Sequence, residues 1–159
     1  MPIMELSRVS DYAIRAVLYL TLKQRSCKTM EIAEAMVIPK AYLSKVLQEL
    51  ARRDIVRLKA GVGGGVELVA DPKELTVLRI IEAIEGRFAF NRCVYAPGEC
   101  QLVNKCPLHK FWERAQDLFI ENVGMVTFDR LALECAGNGN LAEILAKKEE
   151  EGQKIAGRS

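Results

Sequence analysis

A glycine-rich turn between two short β-prone runs is the feature that most limits how this chain can fold. The turn is GVGGG at residues 61–65, and the runs cover residues 55–59 and 66–70. Glycines between two such runs are typical of a β-hairpin with a flexible tip. Pro72 closes the segment, because proline cannot continue a strand ladder. The sequence therefore predicts a small β-hairpin in the middle of the chain.

Three amphipathic helices are predicted before the hairpin. The first, SRVSDYAIRAVLYLTLKQ, has Ser7 as N-cap; Thr29 caps the second, MEIAEAM; and Pro39 suits the first position of the third, PKAYLSKVLQELARRD. The predicted inner faces consist of Leu6, Val9, Ala13, Ala16, Val17 and Leu20 in the first helix and of Leu43, Val46, Leu47 and Leu50 in the third. These elements follow one another as helix, short helix, tight turn, helix and hairpin, which is the order of a winged helix-turn-helix. The predicted fold class is mostly α with a small β-hairpin wing.

The second half of the chain is predicted to be helical apart from one loop. A helix over residues 75–84 ends at Gly86, a long helix starts at Pro107 with an apolar seam interrupted at Asn122, and TFDRLALE forms a short final helix. The predicted units are a winged helix-turn-helix over residues 1–72, a connecting helix over 73–92, a cysteine loop over 93–106, the long and final helices over 107–135 and a flexible charged tail over 136–159.

Composition narrows the class of protein. The 159 residues are 50% hydrophobic and 28% charged, which is a soluble balance with enough apolar material for a core. No apolar run is long enough to span a membrane, and the first residues, MPIMELSR, lack the order of a signal peptide. We therefore expect a cytoplasmic protein without a membrane partner, in which clustered cysteines indicate metal or redox chemistry.

The outward positions of the third helix are candidates for DNA contact. Residues 1–70 carry 11 Lys/Arg against 7 Asp/Glu, a mild basic excess that permits a nucleic-acid face. In a winged helix-turn-helix the second helix of the pair enters the major groove. The outward positions of this helix are Lys40, Ala41, Tyr42, Ser44, Lys45, Gln48 and Arg52. The alternative is that these side chains form the solvated face of an ordinary helical bundle.

Three of the five cysteines and the only histidine lie close together, in the spacing Cys93-x6-Cys100-x5-Cys106-x2-His109. Zinc modules usually use short C-x2-C pairs, whereas a widely spaced thiolate loop can surround an iron–sulfur cluster. With Pro107 as the first helical residue, Cys106 is the N-cap and His109 the N3 residue, so both side chains can face one ligand. The alternatives are small buried cysteines and an ordinary capping histidine. Cys27 and Cys135 are interpreted as packing residues.

With these motifs in place, the sequence resembles the IscR/NsrR/RirA family of bacterial iron–sulfur transcription regulators over roughly residues 4–133. The shared order is MELSRVSDYAIRAVLYL, the helix pair IAEAMVIPKAYLSKVLQEL, the wing GVGGGVEL and the three-cysteine loop. The resemblance implies a homodimer whose long helices, here from Pro107, cross between subunits. It also implies a cluster bound by Cys93, Cys100 and Cys106 that alters binding to a double-stranded DNA operator.

The resemblance leaves the fourth cluster ligand open between two residues. IscR-like members use a histidine followed by tryptophan, which CPLHKFW matches with His109 and Trp112, and this likeness is the closer one. NsrR-like members use an aspartate from the partner's first helix, which Asp11 of the partner subunit would supply. We favour His109 because of its N-cap geometry. A 2Fe–2S cluster is favoured, with 4Fe–4S as the alternative.

The wing departs from the family pattern. Relatives commonly carry Arg-Gly before the glycine run, and that arginine reaches a minor groove; here the pair is Ala60-Gly61, preceded by Lys59. The minor-groove contact is therefore either lost or shifted to Lys59, and the expected wing contacts are Lys59 and Gly61. In the recognition helix, the positions that match DNA contacts in relatives are Lys40, Ala41, Tyr42, Ser44 and Lys45. Ser44 is neutral where some relatives carry glutamate.

The predicted function is a homodimeric, DNA-binding transcription regulator controlled by an iron–sulfur cluster. Two alternatives are a metal-free regulator that senses thiol oxidation and a zinc-stabilised dimer that binds a protein. An enzyme is not expected, since one histidine and no nucleophile–base pair leave little from which to build an active site.

Overall fold

The structure, a computed structural model, describes residues 5–137. Over that range the elements are α1 (Arg8–Lys23), α2 (Thr29–Ala35), α3 (Lys40–Arg52), β1 (Val56–Lys59), β2 (Gly65–Leu68), α4 (Val77–Glu85), α5 (Arg92–Tyr95), a short 3-10 helix (Pro97–Glu99), α6 (Pro107–Gly124) and α7 (Phe128–Gly137). The predicted fold class, mostly α with one antiparallel hairpin, is confirmed. None of the helices in this part of the chain combines the length and apolarity needed to cross a membrane.

Helix α1 forms the centre of the core. Its N-terminus is capped as predicted, with the Ser10 N–H donating to Ser7 Oγ at 3.2 Å. The predicted inner face is buried from Ala13 onward, but Leu6 and Val9 are 42% and 37% exposed, so the prediction for these two residues is wrong for the single chain. The first turn is held by polar contacts instead, because the buried Ser10 hydroxyl donates to Glu85 Oε1 of α4 at 2.7 Å.

The turn between α2 and α3 contains a strained residue. Val37 has φ 53°, a left-handed conformation that β-branched residues rarely adopt, and its side chain is 71% exposed. The chain then enters α3, of which Pro39 is the N-cap and not, as predicted, the first helical residue. The predicted inner face of α3, Leu43, Val46, Leu47 and Leu50, is buried. Its other side therefore faces outward.

The hairpin pairs Val56 with Leu68 and Lys59 with Gly65 in antiparallel register. Both strands are shorter than predicted, because Ile55 is buried beneath them and its carbonyl accepts the N–H groups of residues 69 and 70. The second strand also bonds to Cys27, whose N–H and C=O pair with the backbone of Val66 at 2.9 and 2.8 Å. A side chain at Gly65 would lie 2.7 Å from the Cys27 carbonyl, so this close approach requires glycine.

A carboxylate connects α1, the following loop and the start of α2. Glu31 Oε1 accepts hydrogen bonds from the Tyr19 hydroxyl at 2.9 Å and from the Arg25 guanidinium at 2.7 Å, and Glu31 Oε2 accepts the Lys28 N–H at 3.2 Å. Burial raises the pKa of Glu31, but these hydrogen bonds outweigh it and hold the pKa below its usual value. The start of α2 is thereby fixed beside the hairpin.

Helix α4 lies between the N-terminal module and the C-terminal helices. It packs on α1, α3 and α6, with Ile80, Ile81 and Ala83 buried. It ends, as predicted, at Gly86, which has φ 84°. The Val77 N–H donates to the carbonyl of Val126, in the link between α6 and α7, at 2.9 Å. Helix α7 continues to Gly137, and the rest of the predicted tail lies outside the described residues.

Replacing Val37 with asparagine is expected to raise the free energy of unfolding by about 0.5–1.5 kcal/mol. Asparagine tolerates the left-handed region far better than valine, and little apolar burial is lost at this exposed position. The measurement is urea unfolding followed by circular dichroism. Val62→Asn, at a fully exposed valine without a positive φ, is the matched control and should leave the stability nearly unchanged. A destabilised Val37→Asn protein would contradict the strain argument.

Candidate DNA-binding face and cysteine loop

The candidate DNA contacts of α3 lie on its exposed side. Lys40, Ala41, Tyr42, Ser44 and Lys45 are all exposed, opposite the buried face of the helix. The Ser44 hydroxyl donates to the Lys40 carbonyl at 3.1 Å, so its oxygen remains able to accept. Two ammonium groups and a phenol on one turn of an exposed helix suit phosphate contacts and base-edge hydrogen bonds.

Tyr42 is supported from α1. Its ring lies 6.0 Å from that of Tyr12, at an interplanar angle of 58°. Such a tilted aromatic pair restricts the motion of a side chain that is itself 53% exposed. The position of Tyr42 on the exposed face is therefore fixed by α1 as well as by its own helix.

A groove of about 360 Å³ separates α3 from the hairpin. It brings together two predicted contact residues, Ser44 of α3 and Lys59 of β1, and adds Lys28 and Thr29 from the start of α2. The full lining is Lys28, Thr29, Ser44, Leu47, Gln48, Leu58, Lys59, Gly64, Gly65 and Val66. Lys28 and Thr29 were not predicted as contact candidates, because the non-local pairing of Cys27 with Val66 is what places them beside the hairpin.

The two cationic side chains of the wing both form ion pairs with one carboxylate. Lys59 Nζ contacts Glu67 Oε2, and Arg57 Nη1 lies 3.7 Å from Glu67 Oε1 on the paired strand. These contacts lower the pKa of the Glu67 carboxyl, chiefly through the hydrogen bond from Lys59. Gly61, the other predicted wing residue, is exposed at the tip with φ 86°. The wing therefore presents one carboxylate between two cationic side chains.

The cysteine loop has more local structure than predicted. Cys93 lies on the short helix α5, Cys100 follows the 3-10 helix, and Cys106 is the N-cap of α6 with Pro107 as its first residue, as predicted. The His109 N–H donates to the Cys106 carbonyl at 3.2 Å. Local sequence thus correctly predicted the point where the loop meets the long helix.

The loop cysteines do not form a ready metal site. Cys93, Cys100 and Cys106 are free thiols and half-buried. Among residues 5–137, no three His, Cys, Asp or Glu side chains are close enough together to hold a metal ion. The loop would therefore have to close further for these thiols to share one group.

The imidazole of His109 is largely buried, and one of its nitrogens has no hydrogen-bond partner. Its side chain is 13% exposed, and Nε2 lies 3.4 Å from Glu113 Oε1 one turn further along α6. Nδ1 is buried and has no hydrogen-bond partner among the described residues. A buried polar nitrogen without a partner is costly and uncommon, so this atom fits the role of a ligand. Together with three thiols, it gives a donor set whose chemistry suits an iron–sulfur cluster or zinc.

An aromatic cluster holds the start of the loop against α6. Phe88 stacks on Phe119 at 4.4 Å, and Phe90 lies 6.3 Å from the ring of Trp112. The Phe90 N–H donates to the side-chain oxygen of Gln116, the one buried residue of α6, at 3.3 Å. Both ends of the cysteine loop are therefore anchored on the same helix.

Asp11, the alternative ligand, is already paired within its own helix. Arg15 donates to both of its carboxylate oxygens, at 3.1 Å from Nε and 2.6 Å from Nη2. The carboxylate is 41% exposed and lies in the first turn of α1, where the helix dipole favours an acid. Acting as a ligand would require it to release Arg15.

The two remaining cysteines differ from the loop cysteines. Cys27 is 1% exposed, which confirms the packing interpretation, and burial raises the pKa of its thiol to about 11. Cys135 on α7 is half-buried, and burial also raises the pKa of its thiol. A thiol whose pKa is raised reacts poorly, because the thiolate is the reactive species.

The family model for Rrf2, described as an iron-dependent transcriptional regulator, matches residues 6–134. The chain belongs to the Rrf2 family. It is 30% identical over 133 residues to the HTH-type transcriptional regulator NsrR of Oceanobacillus iheyensis, covering 76% of this chain and 89% of that protein. The predicted resemblance is thus confirmed, and this Rrf2 protein is a DNA-binding transcription regulator and not an enzyme.

Solved structures of Rrf2 relatives share the fold. CymR of B. subtilis, the global cysteine regulator, has a TM-score of 0.68 at 20% identity, covering 83% of this chain and 98% of CymR. IscR of T. potens has a TM-score of 0.67 at 19% identity, covering 83% of this chain and 88% of that chain. At these identities the likeness concerns the fold alone, which is the winged helix predicted from the sequence.

In apo protein at pH 8, Cys27 is expected to react with iodoacetamide at least about 100-fold more slowly than the loop cysteines. Its raised pKa leaves almost no thiolate at that pH, and burial restricts access. Peptide mapping by mass spectrometry over time gives the rate at each site, and the same reaction in urea is the control, in which the difference should disappear. Equal rates in the folded protein would contradict the packing role of Cys27.

Proposed function

We propose that this Rrf2 protein is a homodimeric transcription regulator whose operator binding is controlled by an iron–sulfur cluster held by Cys93, Cys100, Cys106 and His109. The observation that carries the proposal is the buried, unpartnered Nδ1 of His109, on the first turn of α6 directly after the Cys106 N-cap. When bound, the cluster supplies soft metal coordination that joins the loop thiols to α6. A 2Fe–2S cluster is favoured because the fourth ligand is an imidazole.

His109 is preferred over Asp11 of the partner subunit as the fourth ligand. The imidazole has a nitrogen that lacks a partner in the described chain, whereas the Asp11 carboxylate already accepts two hydrogen bonds from Arg15. Recruiting His109 therefore satisfies a buried atom, while recruiting Asp11 would first break an ion pair.

The exposed apolar residues of α6 and α7 support a second copy of the chain as partner. Helix α6 is 18 residues long, yet Gln116 is its one buried residue in the single chain. Several large apolar side chains are more than half exposed: Leu108, Phe111, Leu118, Met125 and Leu133. Apolar patches of this kind on a soluble chain are typical of interfaces, and a seam along a long helix suits pairing with the same helix of another copy.

Packing offers a route by which the loop could act on the DNA-binding face. Helix α6 packs on α4, and α4 packs on both α1 and α3. The Val77 N–H of α4 also donates to the carbonyl of Val126, just after the end of α6. A change in the loop that shifts α6 would therefore be transmitted through α4 to the recognition helix. Coupling between two distant sites needs a continuous chain of packed elements, and these helices form one.

Protein purified without oxygen is expected to be coloured and to contain iron and acid-labile sulfide in equal amounts. His109→Ala should weaken cluster binding by at least about tenfold and change the visible spectrum, since even the loss of a ligand's hydrogen-bond partner costs that much. Asp11→Asn should retain both the metal and the spectrum.

Cys135→Ala is the control for these variants, because Cys135 lies on α7, away from the loop. A colourless protein that binds one zinc per chain would move the assignment to the zinc module. Loss of the cluster in Asp11→Asn with retention in His109→Ala would instead assign the fourth ligand to the partner subunit's Asp11.

Lys40→Gln and Lys45→Gln are each expected to weaken binding of the dimer to a DNA duplex by about tenfold and to reduce the salt slope by about 1.8, because one phosphate contact is lost in each subunit. The effect should be nearly uniform across duplex sequences. The measurement is fluorescence anisotropy over a salt series. Lys73→Gln, at an exposed lysine beside α4, is the control. Equal binding by all the variants would place the DNA contact elsewhere on the chain.

A second candidate is a metal-free regulator that responds to thiol oxidation. The observation that favours it is that the three loop cysteines are free, half-buried thiols without a ready metal site among residues 5–137. Mass spectrometry after mild peroxide treatment distinguishes it from the cluster proposal. A loop disulfide that changes DNA affinity in iron-free protein would support the thiol regulator.

A further inference from the structure

We propose that Glu67 is an affinity-setting residue of the wing, which holds Lys59 in an internal ion pair that a DNA phosphate must displace. The inference rests on the proposed wing contact of Lys59. Residues 57, 59 and 67 share one face of the hairpin, since Arg57 pairs with Glu67 and Lys59 is two residues further along β1. Glu67 contacts both cations, so the charge of the wing is partly neutralised before DNA arrives.

Lys59 lies at the boundary between this ion-paired face and the groove beside α3. It lines the groove together with Ser44 and Lys28, and it is 49% exposed. The same ammonium group can therefore bind either the Glu67 carboxylate or a phosphate in the groove. The lysine that Glu67 contacts in this groove is Lys59, so Glu67 acts on the wing cation.

The competition between the Glu67 carboxylate and a DNA phosphate for Lys59 is balanced closely enough to set the affinity of the wing for DNA. An exposed ion pair contributes little free energy because water and salt screen it, and a phosphate can replace the carboxylate at small cost. After displacement, however, the Glu67 charge stays beside the phosphate and repels it. The wild-type wing should therefore bind DNA more weakly, and with a smaller salt dependence, than a wing with a neutral residue at this position.

The test is fluorescence anisotropy of the full chain with a labelled random-sequence duplex, between about 50 and 200 mM salt. Glu67→Gln is expected to bind about threefold to tenfold more tightly at low salt, with a salt slope steeper by about 1.8 for the dimer, or about 0.9 for each wing. Glu74→Gln makes the same change of charge outside the wing and should have a much smaller effect. Binding by Glu67→Gln equal to the wild type, or an equal gain in Glu74→Gln, would overturn the proposal.

The Lys59→Gln background separates the proposal from the wing contact on which it rests. If Glu67 acts through Lys59, the gain in DNA affinity from Glu67→Gln should fall to less than about half when Lys59 is also replaced with glutamine. Substitutions of two residues in contact are not additive, and this loss of additivity measures their coupling. An undiminished gain there would overturn the role of Lys59. If the double variant binds as tightly as Glu67→Gln, Lys59 makes no DNA contact, and the wing contact itself fails.

Discussion

Burial of the small-residue face of α1 is the constraint on which the rest of the structure depends. Ala13, Ala16 and Val17 are fully buried, and their small side chains allow neighbouring helices to approach closely. Helix α1 packs on α3, which carries the candidate DNA contacts, on α4, which leads to the cysteine loop, and on α7. The candidate DNA face therefore packs on α1 directly, and the long helix α6 is connected to α1 through α4.

The cysteine loop is held differently. Its two ends are fixed on α6, by the Cys106 N-cap at one end and by the bond from Phe90 to Gln116 at the other, while the thiols between them are half-buried and unpaired. A half-buried segment with anchored ends can change conformation at lower cost than the core. If the loop binds metal as proposed, the presence or absence of the metal would decide the conformation of the loop.

Local patterns in the sequence predicted those features that depend on neighbouring residues. The Ser7 and Cys106 caps, the inner face of α3 and the glycine turn follow from spacings of a few residues. Two other features depend on pairing between distant residues. Strand register brings Lys59 to Glu67, and the bridge from Cys27 to Val66 places Lys28 and Thr29 in the groove between α3 and the hairpin. No local period encodes such pairings. The same limit explains why the sequence could name the loop cysteines but not their relative positions.

The long helix combines two roles whose free energies would be linked. His109 lies on its first turn, and exposed apolar residues such as Phe111 and Leu118 lie on the same helix further along. If a second copy covers those residues and a cluster binds His109, both events act on the orientation of one helix. Linkage then requires that cluster binding change the dimer affinity by the same factor by which dimerisation changes the cluster affinity. Because α4 connects this helix to α3, that shared free energy is available to bias DNA binding as well.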